Sequence, residues 1–267
     1  MKKLIILIGV FLFSSQLFST PQMPDFLIYK GDTLRVFGFP LEEHPKIKAL
    51  NRKISKRDYY GCGSSACGRG YMVEWSIIDD QLYLTGIDLC CDGGDNDLTF
   101  LFDKKYIDDG KVKADWFTGD IFSPRGKNIH YMHGGIGGFY EYELEFYFDK
   151  GKLTGTHLCD NTKSKHSIYS QDHEKLEEFI YSNINWEILP KLETSIDVWV
   201  EFTVDENGLV DTVEIMKGYS EIYDQEAIRV VKLIPEWDVI FFRGELFKLP
   251  AYRQIRFSEE NKLKYKK

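Results

Sequence analysis

Val198, Val200, Phe202 and Val204 fall on one face of an extended segment, and Trp199, Glu201 and Thr203 fall on the other. A period of two excludes a helix there and demands a core on one side only. Asp205-Glu206-Asn207-Gly208 follows and reads as a hairpin turn, because Asn and Gly tolerate the positive φ of a tight connection. In the returning strand, residues 209–217, Val213 and Ile215 alternate out of step with Val210, which predicts a bulge. Upstream, Leu176, Phe179, Ile180 and Ile184 recur every three or four residues and predict a helix with one apolar stripe. Downstream, Ala227, Ile228, Val231 and Ile234 predict a second helix, capped by Asp224 and stopped by Pro235. A last strand over residues 247–257 closes the unit. Pro250 places an edge at its first residues, because proline removes a ladder donor.

Helix, hairpin, helix and strand in this order resemble the C-terminal domain of the TonB energy-transducer family. The likeness rests on Phe179-Ile180 with Asn183-Ile184, Val198 to Asp205, Gly208-Leu209-Val210, Val213 and Lys217-Gly218. It continues through Glu226 to Val231, Pro235-Glu236-Trp237, Arg243-Gly244 and Ile255-Arg256-Phe257. The resemblance covers about a third of the chain. It implies a periplasmic domain that pairs, strand to strand, with a short segment of an outer-membrane receptor. The candidate partner-binding residues are those of the final strand: Tyr252, Arg253, Gln254, Ile255, Arg256 and Phe257. Their unpaired main-chain groups would bind an extended peptide. Two departures argue against force transmission. No Pro-rich spacer precedes the domain, and Gln254 stands where the family often has proline.

The fold class expected is α+β, with a β-rich unit over residues 22–161 ahead of the TonB-like unit at 173–258. In the first unit, residues 26–29 and 34–37 bracket a Lys30-Gly31-Asp32 turn. Tyr71, Val73, Trp75 and Ile77 alternate, as do Leu82 and Leu84 after Asp79-Asp80. Residues 139–148 alternate again, with Tyr142, Leu144, Phe146 and Phe148 on one face, and turn at Asp149-Lys150-Gly151. This is an antiparallel meander with one buried and one wet face, in a sandwich or curled sheet. The aperiodic run 162–172 is expected to act as a linker, and 259–267 as a solvated basic tail.

Lys2 and Lys3, an apolar core at residues 4–13, and Ser14, Ser15, Ser19 and Thr20 form a signal-peptide pattern over residues 1–20. A retained anchor is the second reading. Export makes disulfides expected, and the candidates are Cys62, Cys67, Cys90 and Cys91, either as the first pair or from that loop to one of the second pair. Cys159 stands alone. A net charge of −8 argues against nucleic-acid binding.

Residues that could carry chemistry do not converge in the sequence. His130 and His133 are three apart and His157 is two from Cys159, but neither pair has a third ligand. Asp92, Asp95 and Asp97 lack EF-hand spacing. The run Gly134-Gly135-Ile136-Gly137-Gly138 lacks the Lys and Ser or Thr of a phosphate loop. No catalytic residue, metal or cofactor is assigned. The expected function is an exported protein that binds a partner protein, with a genuine transducer or a self-associating homodimer as alternatives and an enzyme least favoured.

Overall fold

The computed structural model describes residues 21–57, 65–90, 97–132, 135 and 137–265. The targeting segment, Cys62, Cys91, Asp92, Asp95, His133, Gly134, Ile136, Lys266 and Lys267 lie outside the described residues.

The N-terminal unit opens with β1 (Asp25–Tyr29) and β2 (Asp32–Val36). Their tight turn takes positive φ at Lys30 and Gly31, 52° and 86°, as the sequence predicts. Helix α1 (Ile47–Arg57) leads to β3 (Tyr71–Ile78) and β4 (Gln81–Leu89), then the short β5 (Ile107–Asp108) and β6 (Lys111–Lys113). Three long strands complete it: β7 (Gly119–His130), β8 (Phe139–Asp149) and β9 (Lys152–Asp160). All belong to one nine-stranded sheet, whose main path runs β2-β1-β3-β4-β9-β8-β7. The pairing is antiparallel except between β1 and β3, which run parallel. The sheet curls until its two ends meet at a single bridge, Phe37 to Phe122. Trp75, Leu82, Leu84, Phe117 and Phe146 fill the inside of the curl.

The parallel pair is held at its start by a buried carboxylate. Asp25 accepts hydrogen bonds from Val73 N (3.1 Å), Trp75 Nε1 (3.1 Å) and Arg69 Nη2 (2.9 Å). Arg69 lies over the Phe39 ring, its guanidinium carbon 3.8 Å from the centroid. Cys67, two residues before it, is disulfide-bonded to Cys90. The bridge therefore runs from the Gly-Ser-rich loop to the adjacent-cysteine pair, and Cys159 is a buried free thiol.

The C-terminal unit begins with the short α2 (Ile168–Gln171) and α3 (His173–Asn183). Next come β10 (Ile196–Val204), β11 (Val210–Lys217) and α4 (Glu221–Lys232). A small hairpin, β12 (Phe241–Phe242) and β13 (Glu245–Leu246), precedes β14 (Ala251–Phe257) and α5 (Glu259–Tyr265). The sheet order is β11-β10-β14. Val198, Val200, Phe202 and Val204 are all buried, with Ala227, Val230 and Val231 of α4 and Ile180 of α3 in the same core. Each of the four β10 side chains contributes about 1.5–3 kcal/mol by leaving water. The register slips between Thr203 and Val204, which pair with Thr212 and Val210, so the expected bulge falls at Asp211.

Four expectations are corrected. Helix α4 starts at Glu221, so Asp224 lies inside its first turn; its carboxylate reaches back to Tyr219 N (2.9 Å) instead of capping from outside. The expected last strand over residues 247–257 is shorter: residues 247–250 are not strand, and β14 begins at Ala251, directly after Pro250. Residues 259–265 form α5, and Tyr265 packs its ring 5.4 Å from Tyr181, so this stretch is not a solvated tail. Segment 162–172 is bonded along much of its length: Lys165 and Val239 exchange both main-chain hydrogen bonds (2.9 and 3.0 Å), and Ser164 Oγ accepts from Phe241 N.

The two units are therefore pinned together. The β12–β13 tip places Arg243 and Gly244 at φ of 55° and 78°, a two-residue turn in which Asn usually supplies the first position. Arg243 tolerates this left-handed conformation because its side chain is held from the N-terminal sheet. Its guanidinium pairs with Glu145 and Asp120, while its N–H donates to Glu143 Oε2 (3.0 Å) and Gly244 N donates to Asn161 Oδ1 (2.8 Å). Phe242 packs edge-on to Phe139 at 5.2 Å. The β8 face expected to be wet is thus covered here, and Glu143 and Glu145 are buried.

Candidate functional site

Strand β14 is at the edge of its sheet, with β10 on one flank only. Its side chains alternate. Ile255 and Phe257 are fully buried in the core, and Arg253 points inward over the Trp237 ring at 5.1 Å. Tyr252, Gln254 and Arg256 lie on the opposite, solvent side; Tyr252 is 54% exposed. Trp199, opposite Gln254 in the register, is 41% exposed on that same side.

The outward main chain follows the same alternation. Arg256 N donates to Tyr181 Oη (3.3 Å) and Arg256 O accepts from Asn261 Nδ2 (2.9 Å), so neither group pairs with β10. By parity, Tyr252 and Gln254 also aim their N–H and C=O away from β10. Helices α3 and α5 therefore close the edge at Arg256 and leave two residues open. Of the six residues expected to bind a partner, Tyr252 and Gln254 present free main chain. Arg256 is capped, and Arg253, Ile255 and Phe257 turn their main chain to β10. Only the tertiary placement of Tyr181 and Asn261 could reveal this.

The cap can be tested. Tyr181→Phe removes one hydrogen bond of net worth about 0.5–1.5 kcal/mol and is expected to speed amide exchange at Arg256 by up to about tenfold. Gln254, already open, should not change. An unchanged Arg256 rate would show that Tyr181 does not protect this edge.

Elsewhere the sequence candidates scatter. Asp97 accepts from Thr99 N (2.8 Å) and Thr99 Oγ1 and caps a single 3₁₀ turn. His157 is exposed on β9, and Cys159, two residues on, is buried beside Glu145, where burial pushes its thiol up to about 11. An activated nucleophile needs the opposite shift. A cleft of about 400 Å³ lies between α1 and the turns before β5, lined by His44, Lys46, Lys53, Phe102, Asp115 and Trp116. His44 Nδ1 accepts from Lys46 N (3.0 Å), and its ring stands edge-on to Trp116 at 4.5 Å. Burial, then the Lys46 charge, lowers its pKa.

His130 meets two residues that sequence reading did not single out. At the end of β7 its ring lies 5.9 Å from that of His166, which pairs through Nδ1 with Asp238 Oδ2 (3.1 Å). Residues 130, 166 and 238 are too far apart in the chain for any spacing motif to join them.

Comparison with protein-family models, with curated proteins and with solved structures found no match.

Proposed function

We propose that this protein is an exported envelope protein whose C-terminal unit captures an extended segment of another protein by strand addition along β14. The observation that carries this reading is the pair of open residues, Tyr252 and Gln254, on an edge strand backed by a complete core. The likeness of residues 173–258 to the TonB C-terminal domain supplies the partner class, the N-terminal segment of an outer-membrane receptor. Force transmission is disfavoured, because the hairpin and segment 162–172 tie the unit to the N-terminal sheet where a transducer needs a free spacer.

Two open residues offer four main-chain hydrogen bonds, each worth about 0.5–1.5 kcal/mol net. Their sum of about 2–6 kcal/mol corresponds to dissociation constants no tighter than roughly 40 μM before side chains contribute. Trp199 and Tyr252, exposed beside the open edge, would add the remainder.

Titration of receptor N-terminal peptides against the full chain tests the proposal. Gln254→Pro deletes one outward donor at an edge position that accepts proline and is expected to weaken binding about tenfold with the fold retained. Equal binding by wild type and Gln254→Pro, or a concentration-dependent homodimer that the peptides do not compete away, would overturn the reading.

A further inference from the structure

We infer that His130, His166 and Asp238 form a site for a zinc-type divalent ion that fastens the N-terminal sheet to the C-terminal unit. One ring nitrogen of each histidine and one carboxylate oxygen lie within 4.8 Å of one another. The His166 Nδ1 to Asp238 Oδ2 separation is 3.1 Å, and two ligands of a tetrahedral zinc ion with bonds of 2.0–2.1 Å stand about 3.3 Å apart. These two atoms therefore need to move little to share an ion.

The surroundings favour the same reading. A zinc-bound histidine almost always donates its second ring N–H to a carbonyl or carboxylate, which fixes the tautomer and the ring. His166 Nε2 lies 2.6 Å from Ile129 O, so with an ion on Nδ1 the ring's other N–H would have a carbonyl to bind. Ile129 is the residue before His130, so the strand that bears one ligand also orients another. Asp238 is fixed in turn: Oδ1 accepts from Ser167 N (2.8 Å) and Ser170 Oγ (2.5 Å), leaving Oδ2 for the ion. His130 is held by its ring contact with Phe139 at 6.1 Å. Two imidazoles and one carboxylate are a donor set that zinc accepts, with a fourth position left for water or an incoming group.

The ligands come from the end of β7, from segment 162–172 and from the stretch after α4. Lys165 and Val239 already pair two of these segments through their main chains, and an ion would fasten both to the end of β7. This goes beyond strand addition at β14 and does not depend on it.

The full chain, stripped with chelator and titrated with zinc chloride in a calorimeter, is expected to take up one ion and to melt at a higher temperature with zinc than without. His130→Ala, whose ring makes no hydrogen bond required for the fold, is expected to lose at least about a hundredfold in zinc affinity together with the melting shift. Ser170→Ala keeps all three ligands and releases only the carboxylate, so it is expected to lose about tenfold. Cobalt in place of zinc should give the visible bands of a four-coordinate ion, absent in His130→Ala. If millimolar zinc produces neither heat nor a melting shift in wild type, the triad is a proton-mediated clasp of His166 between Asp238 and Ile129, and the inference fails. It fails equally if His130→Ala binds zinc as tightly as wild type, because the ion is then held elsewhere.

Discussion

Arg243→Ala is expected to lower the unfolding free energy by about 3 kcal/mol, toward the low end of the cost of breaking a buried ion pair because the guanidinium is one-third exposed. The variant leaves Glu145, only 4% exposed at its side chain, without its cation, and withdraws the cation–π contact over Phe122 at 5.7 Å. It also removes the reason for a non-glycine residue to hold a φ of 55° at the hairpin tip. Urea unfolding of the full chain followed by tryptophan fluorescence should show the midpoint fall. The transition should also broaden or split, since Trp186, Trp199 and Trp237 report on the C-terminal unit and Trp75 and Trp116 on the other. A loss under about 0.5 kcal/mol with a single sharp transition would mean that the hairpin does not couple the two units.

The same contact fixes a pH dependence. Burial raises the Glu145 carboxyl, but hydrogen bonds from Tyr147 and Arg243, then the Arg243 charge, outweigh it and leave its pKa lowered. A lowered folded-state pKa contributes stability that is present above the unfolded value of about 4.3 and is lost as pH falls through the folded one. The gap between wild type and Arg243→Ala should therefore shrink below about pH 4. Glu143 has the opposite sign. Burial raises it against hydrogen bonds from Asn161 and Arg243 N, so its contribution is present at low pH and is lost as pH rises through its folded value.

Asp25→Ala is expected to cost more, about 4 kcal/mol, because three buried donors lose their acceptor at once. Burial pushes the Asp25 carboxyl up and outweighs the Arg69 charge and the hydrogen bonds from Arg69, Trp75 and Val73. The ion pair is thus costly to form, yet breaking it is worse, because Arg69 would remain only 13% exposed with no counter-charge. Asp25→Asn keeps an acceptor for part of the set and should cost roughly half as much. The check is a shift of the urea midpoint at constant slope. A cost under about 1 kcal/mol for Asp25→Ala would show that water replaces the carboxylate and that the start of β1 is not as dry as its burial implies.

Much of the architecture was legible from short-range pattern. Period-two alternation at residues 198–204 and turn chemistry at Lys30-Gly31, Asp79-Asp80, Asp149-Lys150-Gly151 and Asn207-Gly208 place strands and hairpins, because φ preferences and the two-sided pleat act within a few residues. The bulge opposite Thr203 and Val204 and the start of β14 after Pro250 follow from the same local rules. The boundary errors were also local. Asp224 satisfies an N–H from inside the helix, while the N-cap is Ser220, a residue type equally favoured there, whose side chain makes no capping hydrogen bond.

The sequence alone determined the α+β class, the alternation of β1 to β4, β8 and β10, and which face of β10 is dry, since each depends on neighbours in the chain; it did not show α1, β5 to β7, the β12–β13 hairpin or the parallel pairing of β1 with β3. Tertiary structure decided what those elements are for. Glu143 and Glu145 read as the wet side of β8 until a hairpin about a hundred residues later covers them. Tyr181 reads as an ordinary helix residue and Asn261 as part of a solvated tail until they close the β14 edge at Arg256. His130 has no visible partner until His166 and Asp238 arrive from two other segments. The physical reason is common to all three: a polar group's partner is set by proximity in space, and side-chain type constrains what chemistry can meet without saying which residues will.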